Sequence, residues 1–388
     1  MLSVTHPAEV AVYVRFALRP VRGRGCFLWD AEGRRYLDMY GGHAVALTGH
    51  CHPRVVEAIT RQVGSLLFYS NALPLTVRDE LLTRLAQHAP AGAQRIFLVN
   101  SGAEANEQAL ALARRTTGRA RIVSCAGGFH GRTLPTLAAS GIEKYRRLAV
   151  AGGAGQALLD LTTVVPFNDA EALRAAVDER TAAVIVEPVQ GLAGAREATA
   201  AFLQAARAAC TTAGAMLIFD EIQCGCGRTG AFTAAQAYGV TPDLLTLAKG
   251  IAAGLPMGVV LMSETIASRI GAGELGTTFG GGPVPCAAAV ANLDVLVTED
   301  LLRNATRMER LLREGVAPIA AVTRVTGKGL LLGLVLDRPA KAVQQALFSR
   351  QVLVGSSEDA NVMRLLPPLV LGAAEVELFL SALKEVLT

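Results

Sequence analysis

Hydrophobic positions along the chain follow two periods. Short apolar runs at residues 95–100, 121–125, 182–187, 215–220 and 244–248 are rich in Val, Ile, Leu and Phe, the pattern of strands buried on both faces. Between them, at residues 77–88, 103–115, 170–177 and 199–213, apolar side chains recur every three or four positions, as on a helix with one buried face. This alternation from residue 76 onward predicts an α/β fold, a mostly parallel sheet with helices on both faces.

Outside that stretch the pattern changes. Residues 25–30 and 35–40 read as two short strands joined through Glu32-Gly33, and Pro53 suits the first position of a helix that runs to residue 65. A long helix begins near Cys286. Beyond it come a strand pair at 322–325 and 329–336, a helix at 340–350, a short strand at 352–354 and a terminal helix at 374–387, which predict a smaller α+β unit. We expect an N-terminal segment over residues 1–50 that joins the small domain, a large cofactor-binding domain over 51–290 and a C-terminal small domain over 291–388.

Composition narrows the partners. The chain has 388 residues, enough for two packed units, and its 37 basic and 33 acidic residues leave a net charge of +4. So even a balance argues against nucleic acid and membrane surfaces and favours small polar or acidic ligands. Mean hydropathy is positive, but alanine supplies much of it. The longest apolar stretch, 251–263, contains Gly254, Pro256 and Gly258 and stops at Glu264, short of the ~20 residues a membrane span needs. No basic segment followed by an apolar core opens the sequence, and the seven cysteines lack framework spacing. The cytoplasm is the expected compartment. Neither Cys224-Gly-Cys226 nor His50 with His52 has further ligands at metal-binding spacing, so turn and cap roles are expected for them, and no metal.

Candidate chemistry sits where the apolar runs end, because ligands of α/β folds bind beyond the carboxyl ends of strands. Asp220 ends one run and Lys249 follows another. A buried ion pair would account for both. So would a pyridoxal phosphate site, with the lysine forming a Schiff base and the aspartate keeping the ring nitrogen protonated. Asn100-Ser-Gly-Ala-Glu-Ala-Asn106 stands where a strand turns into a helix; Ser101 and Glu104 have capping-box spacing, and Gly102 would let an anion approach the first-turn amides. Gly127-Gly-Phe-His-Gly-Arg-Thr133 offers Phe129 for stacking and Arg132 for a carboxylate. Glu187 closes another strand, residues 277–283 form a second Gly-rich loop, and Arg364 precedes Leu-Leu-Pro-Pro.

Ser-Gly-Ala-Glu-Ala-Asn, Phe-His-Gly-Arg-Thr, Glu-Pro-Val-Gln-Gly, Asp-Glu-Ile-Gln, Leu-Ala-Lys-Gly, Thr-Thr-Phe-Gly-Gly and Arg-Leu-Leu-Pro-Pro occur in this order. From Gly25 to about Pro368 the chain thereby resembles class III aminotransferases, nearest the acetylornithine and ornithine type. The resemblance implies a fold-type I, pyridoxal-phosphate-dependent transferase with a mostly parallel seven-stranded sheet, and a homodimer with shared active sites at its interface. By motif position, Lys249 is the Schiff-base lysine, Asp220 the partner of the pyridinium nitrogen and Gln223 a hydrogen-bonder to the ring hydroxyl. Ser101, Gly102 and Ala103 hold the phosphate, Thr278 reaches it from the other subunit, and Phe129 stacks on the ring. Arg132 and Arg364 hold substrate carboxylates, and Glu187 belongs to the same substrate pocket. Tyr69 and His43 lie in segments that resemble substrate-lining loops, where packing is the competing role.

The implied reaction moves the terminal amino group of an N-acylated diamino acid to 2-oxoglutarate by a ping-pong mechanism. Ornithine, 4-aminobutyrate or a carrier-linked lysine as donor, and an aminomutase or decarboxylase on the same frame, remain open alternatives. A binding protein with a degenerate cofactor domain would not need both Lys249 and Asp220. Three positions depart from the family. Leu192 stands where ornithine-type enzymes carry a glutamate that pairs with the second arginine, so either the donor differs or another acid pairs with Arg364. Gly282 replaces a frequent Asn, and Cys224-Gly-Cys226 replaces Thr-Gly-Val.

Overall fold

A computed structural model describes residues 8–10, 12, 15–150, 153 and 155–387. The central sheet has seven strands in the spatial order Arg95–Val99, Gly258–Met262, Leu244–Leu247, Met216–Asp220, Thr181–Val186, Arg121–Cys125 and Thr162–Val165. All run parallel except Gly258–Met262, which is antiparallel to both neighbours. Five of these strands lie within one residue of the apolar runs in the sequence. Thr162–Val165, an edge strand of four residues, and Gly258–Met262 do not. The latter is buried throughout, but Gly254, Pro256 and Gly258 punctuate its approach and hide it as a broken apolar stretch.

Unbroken apolar strands need cover on both sides. Along Met216–Asp220, Leu217 and Phe219 pack in the cluster that contains Phe202 and Leu203 of helix Ala200–Ala213. Ile218 packs instead with Ala109 and Leu110 of helix Gly102–Thr117. Successive side chains of a strand point to opposite faces, so the two helices clad opposite sides of the sheet. The helices end as their sequences dictate: Gly118 and Gly214, with φ of 67° and 65°, take the left-handed C-terminal position that glycine occupies without strain.

The flanking segments form sheets of their own. Arg22–Arg24, Phe27–Trp29 and Arg35–Asp38 form antiparallel neighbours, and Val352–Leu353 adds to Arg35–Asp38 in parallel. Val322–Lys328, Leu331–Leu336 and Val362–Leu365 form a three-stranded antiparallel sheet that pairs Gly333 with Arg364. Helices Pro283–Thr298 and Leu301–Val316 lead out of the central region. His50 hydrogen-bonds Asp38 at 2.8 Å, and His52, the residue before helix Pro53–Ser65, hydrogen-bonds Glu299 at 3.0 Å. Among the described residues no helix is long and apolar enough to cross a membrane.

Candidate active site

Asp220 is the last residue of its strand and is 3% exposed. The register opposite Thr246 brings in Asn106, whose amide donates to Asp220 Oδ2 at 2.7 Å and to the His130 carbonyl at 2.8 Å. Asn106 Oδ1 accepts from Thr246 Oγ1 at 2.7 Å. His130 Nδ1 lies 2.7 Å from the same Asp220 oxygen; a carboxylate only accepts, so Nδ1 carries the proton. Burial pulls the His130 pKa down, but the hydrogen bond and charge of Asp220 outweigh it and the net shift is upward. Ile222 N donates to Oδ1 at 3.1 Å. The carboxylate is thus fixed, with Oδ1 still able to accept from a ligand.

Lys249 follows strand Leu244–Leu247 and opens a 3₁₀ turn, Lys249–Ala252, with φ of 47°. A left-handed lysine costs about 1 kcal/mol or more and persists only where its surroundings impose it. Among the described residues its ammonium has no hydrogen-bond or ion-pair partner. Burial holds its pKa below the ordinary lysine value, against the opposing pull of Asp220 and Glu187, and Arg364 lowers it further. The shift favours the uncharged amine, the form in which a lysine acts as a nucleophile.

Beside Asp220, Ser101 caps helix Gly102–Thr117, accepting from Glu104 N at 3.1 Å. The Glu104 carboxylate reaches back to Asn100 N at 2.8 Å, one residue before the amide of a standard capping box. A Cβ at Gly102 would lie 2.7 Å from Ile222 Cδ1. A larger residue there would have to displace the Ile222 side chain, and Gly102 lines the same cavity as Asp220.

Two walls rise from this floor. On one, Phe129 meets Tyr145 edge-on at 5.0 Å, with the Arg132 guanidinium 5.4 Å and the Lys144 ammonium 4.9 Å from the same ring. On the other, Arg364 is 2% exposed on strand Val362–Leu365. It donates to the Gly191 carbonyl at 3.0 Å, Gln223 Oε1 at 3.4 Å, the Tyr40 hydroxyl at 3.2 Å and the Ser356 carbonyl. All four acceptors are uncharged, and burial holds the arginine's pKa below its usual value. The alternative in which another acid pairs with Arg364 therefore has no support among the described residues.

Glu187 joins the walls. One oxygen accepts from Phe129 N at 2.7 Å and the other from Gly191 N at 3.2 Å. Burial, with the charge of Asp220 adding to it, pushes this carboxyl up to about 7. Each oxygen accepts one backbone N–H, which fixes the carboxylate within the cavity.

Lys249, Asp220, Ser101, Gly102, Ala103, Phe129, Gln223, Arg132, Arg364, Glu187 and His43 thus share one cavity of about 810 Å³. Tyr69 and Thr278 are exposed and lie outside it. Sequence reasoning gave no role to Asn106, Tyr40, Lys144, Tyr145 or Glu358. Asn106 carried a signal, a polar residue on the apolar face of its helix beside Ala105, Ala109 and Leu110. Lys144 and Glu358 meet only through the fold.

The donor set suits one ligand class. First-turn amides match an anion, Asp220 Oδ1 an N–H, Lys249 a carbonyl and Phe129 the face of a flat ring; a phosphorylated pyridine aldehyde offers all four. A family model described as aminotransferase class-III matches residues 10–387. The acetylornithine aminotransferase of Streptomyces coelicolor is 45% identical over 374 residues, 95% of this chain and 90% of that protein. That of Methanocaldococcus jannaschii is 38% identical, covering 98% of this chain and 96% of its own. Among solved structures, the ornithine aminotransferase from Toxoplasma gondii has a TM-score of 0.90 at 29% identity, over 98% of this chain and 92% of its own. The acetylornithine aminotransferase from Elizabethkingia anophelis has a TM-score of 0.84 at 28% identity, over 98% and 96%. A match that runs almost end to end in sequence and in fold leaves one assignment: the chain belongs to the class-III aminotransferases, enzymes that move an amino group from a donor to a keto acid with pyridoxal 5′-phosphate as cofactor.

Proposed function

We propose that this enzyme takes the terminal amino group from an N-acylated diamino acid of the acetylornithine kind and passes it to 2-oxoglutarate by a ping-pong mechanism. The products are a semialdehyde and glutamate. The observation that carries this reading is the pair of arginines, Arg132 and Arg364, that line one cavity with Lys249 and Asp220. Such a site can accept a donor with one carboxylate and a dicarboxylic acceptor in turn. Relatives named acetylornithine aminotransferase, aligned over nearly the whole chain, support the donor class.

Bound pyridoxal phosphate supplies an aldehyde and a ring that draws electrons from the carbon being deprotonated. Ser101, Gly102 and Ala103 would hold its phosphate at the helix N-terminus. Asp220, braced by His130 and Asn106, would accept the ring N–H and keep it protonated. Phe129 would stack on the ring and Gln223 would hydrogen-bond the ring hydroxyl. Lys249 Nζ takes the proton from the donor carbon that bears nitrogen and holds it for return. Arg132 and Arg364 bind substrate carboxylates. Glu187 acts at one remove, fixing Phe129 and the Gly191 loop against which Arg364 rests.

Two copies complete the site in this reading. Leu67 and Phe279 are each 65% exposed, Leu73 and Tyr69 join them, and Phe68 packs on Phe279 at 5.2 Å. An apolar face of this kind marks an interface. It carries Thr278 and Tyr69, the two site residues missing from the chain's own cavity, and a second copy seated there would bring them to its partner. The unpaired thiols, six of seven buried, support the cytoplasm as compartment. The test is a screen of N-acetylornithine, N-succinylornithine, ornithine and 4-aminobutyrate with 2-oxoglutarate. An N-acylated donor should lead, and preference for 4-aminobutyrate would overturn the reading.

A further inference from the structure

We propose that Lys144 masks Glu358, the acid at the cavity mouth, and thereby selects donors whose α-nitrogen is acylated over donors with a free α-ammonium. This specificity rests on the function proposed above and adds the residues that enforce it. Lys144 belongs to helix Glu143–Val150 on the Phe129 wall, while Glu358 lies just before strand Val362–Leu365 on the Arg364 wall. Both line the cavity. Their Nζ and Oε1 atoms are 2.6 Å apart and both side chains are partly exposed, so the pair ties the two segments together at the solvent edge of the cavity. The Glu358 amide donates to the Leu192 carbonyl at 3.0 Å and the Ser357 hydroxyl to the same oxygen at 3.3 Å. The carboxylate is therefore placed by its backbone.

The charge pattern decides what the mouth accepts. Among the described residues three acids line the cavity, Glu187, Asp220 and Glu358. The first two are held at the floor by backbone and side-chain donors, as described above, which leaves Glu358 as the acid facing the far end of a donor. Around it stand Arg132, Lys144 and Arg364. A donor bound through its carboxylate brings its α-nitrogen into this region. As an ammonium, that nitrogen meets like charges and must compete for Glu358 with a tethered lysine, whose effective concentration is on the order of millimolar or higher. Acylated, it is neutral, has no need of an acid and escapes the repulsion. Removing the lysine leaves an unpaired carboxylate where an ammonium would bind.

The test compares kcat/KM for N-acetylornithine and ornithine, each with 2-oxoglutarate, in the unmodified holoenzyme, Lys144→Met, Glu358→Gln and the double variant. In Lys144→Met the acetylornithine-to-ornithine ratio should fall by about tenfold or more, chiefly through a lower KM for ornithine. In Glu358→Gln it should stay level or rise. The double variant should return to within about threefold of the unmodified ratio, because without the acid no ammonium site is unmasked. A structural tie would lower both donors together in Lys144→Met and leave the ratio unmoved, which overturns the proposal. An equal fall of the ratio in the double variant also overturns it, since the acid would then play no part. If the unmodified enzyme turned over neither donor, the functional reading would fail and this proposal with it; turnover with an unmoved ratio defeats the proposal alone.

Discussion

Asn106→Ala probes the brace beneath the cofactor site most sharply. The side chain is fully buried and makes three hydrogen bonds, one to the Asp220 carboxylate and two to neutral groups. A bond to a charged group contributes about 1.5–3 kcal/mol and a neutral one about 0.5–1.5 kcal/mol, so their loss costs about 2.5–6 kcal/mol. The sum sits high in that range because the Thr246 hydroxyl and the His130 carbonyl lose a partner in a site without water access. For 388 residues the unfolding entropy makes 1 kcal/mol worth about 1 °C, so the Tm should drop by about 4 °C or more. Differential scanning calorimetry of the cofactor-free protein measures this directly. Spectrophotometric titration with pyridoxal phosphate should show weaker binding as well, since Asp220 loses one of its two side-chain donors. A Tm shift below about 1 °C with unchanged cofactor affinity would refute the view that Asn106 holds Asp220 in place.

Other perturbations separate the walls from the floor. A Cβ at Gly191 would lie 1.6 Å from Gln223 Oε1; Gly191→Ala should swing that flexible amide away from Arg364 at a stability cost of about 1 kcal/mol, raising the KM for 2-oxoglutarate several-fold while calorimetry shows little change. Tyr40→Phe removes the hydroxyl 3.2 Å from Arg364 and should weaken dicarboxylate binding by about 1 kcal/mol, roughly fivefold in KM; an unchanged KM would count against Tyr40 as a brace. Burial raises the Glu221 carboxyl from 4.5 to about 8, although it accepts from Ala234 N and Ala235 N. The folded chain then holds this proton more tightly than the unfolded one, so the stability it adds is complete below pH 4.5 and is lost as pH rises through about 8. In urea unfolding of the cofactor-free protein, Glu221→Gln should flatten the decline between pH 5 and 8, and a decline of undiminished slope would contradict the assignment.

Much of the framework was legible because strands buried on both faces leave unbroken apolar runs, and five of the seven central strands left one. Gly258–Met262 did not, because glycine and proline near its start serve the turn at Gly254 as well as the strand. Lys249 and Asp220 were legible as charges that end such runs. The grip on Arg364 was not: three of its four acceptors are carbonyl or amide oxygens, which any sequence supplies, and only the fold brings Tyr40 and Ser356 to it. Lys144 and Glu358 carried no signal in the sequence, since no local pattern couples residues more than 200 positions apart. The packing of Ile222 against Gly102 was not legible either, since it joins residues 120 positions apart.

Alternating occupancy of one cavity by an N-acylated donor and a dicarboxylic acceptor is tested most directly by initial-rate kinetics. With N-acetylornithine varied at several fixed concentrations of 2-oxoglutarate, double-reciprocal plots should give parallel lines, with glutamate and the semialdehyde formed one for one. Intersecting lines, or consumption of the donor without glutamate, would contradict it.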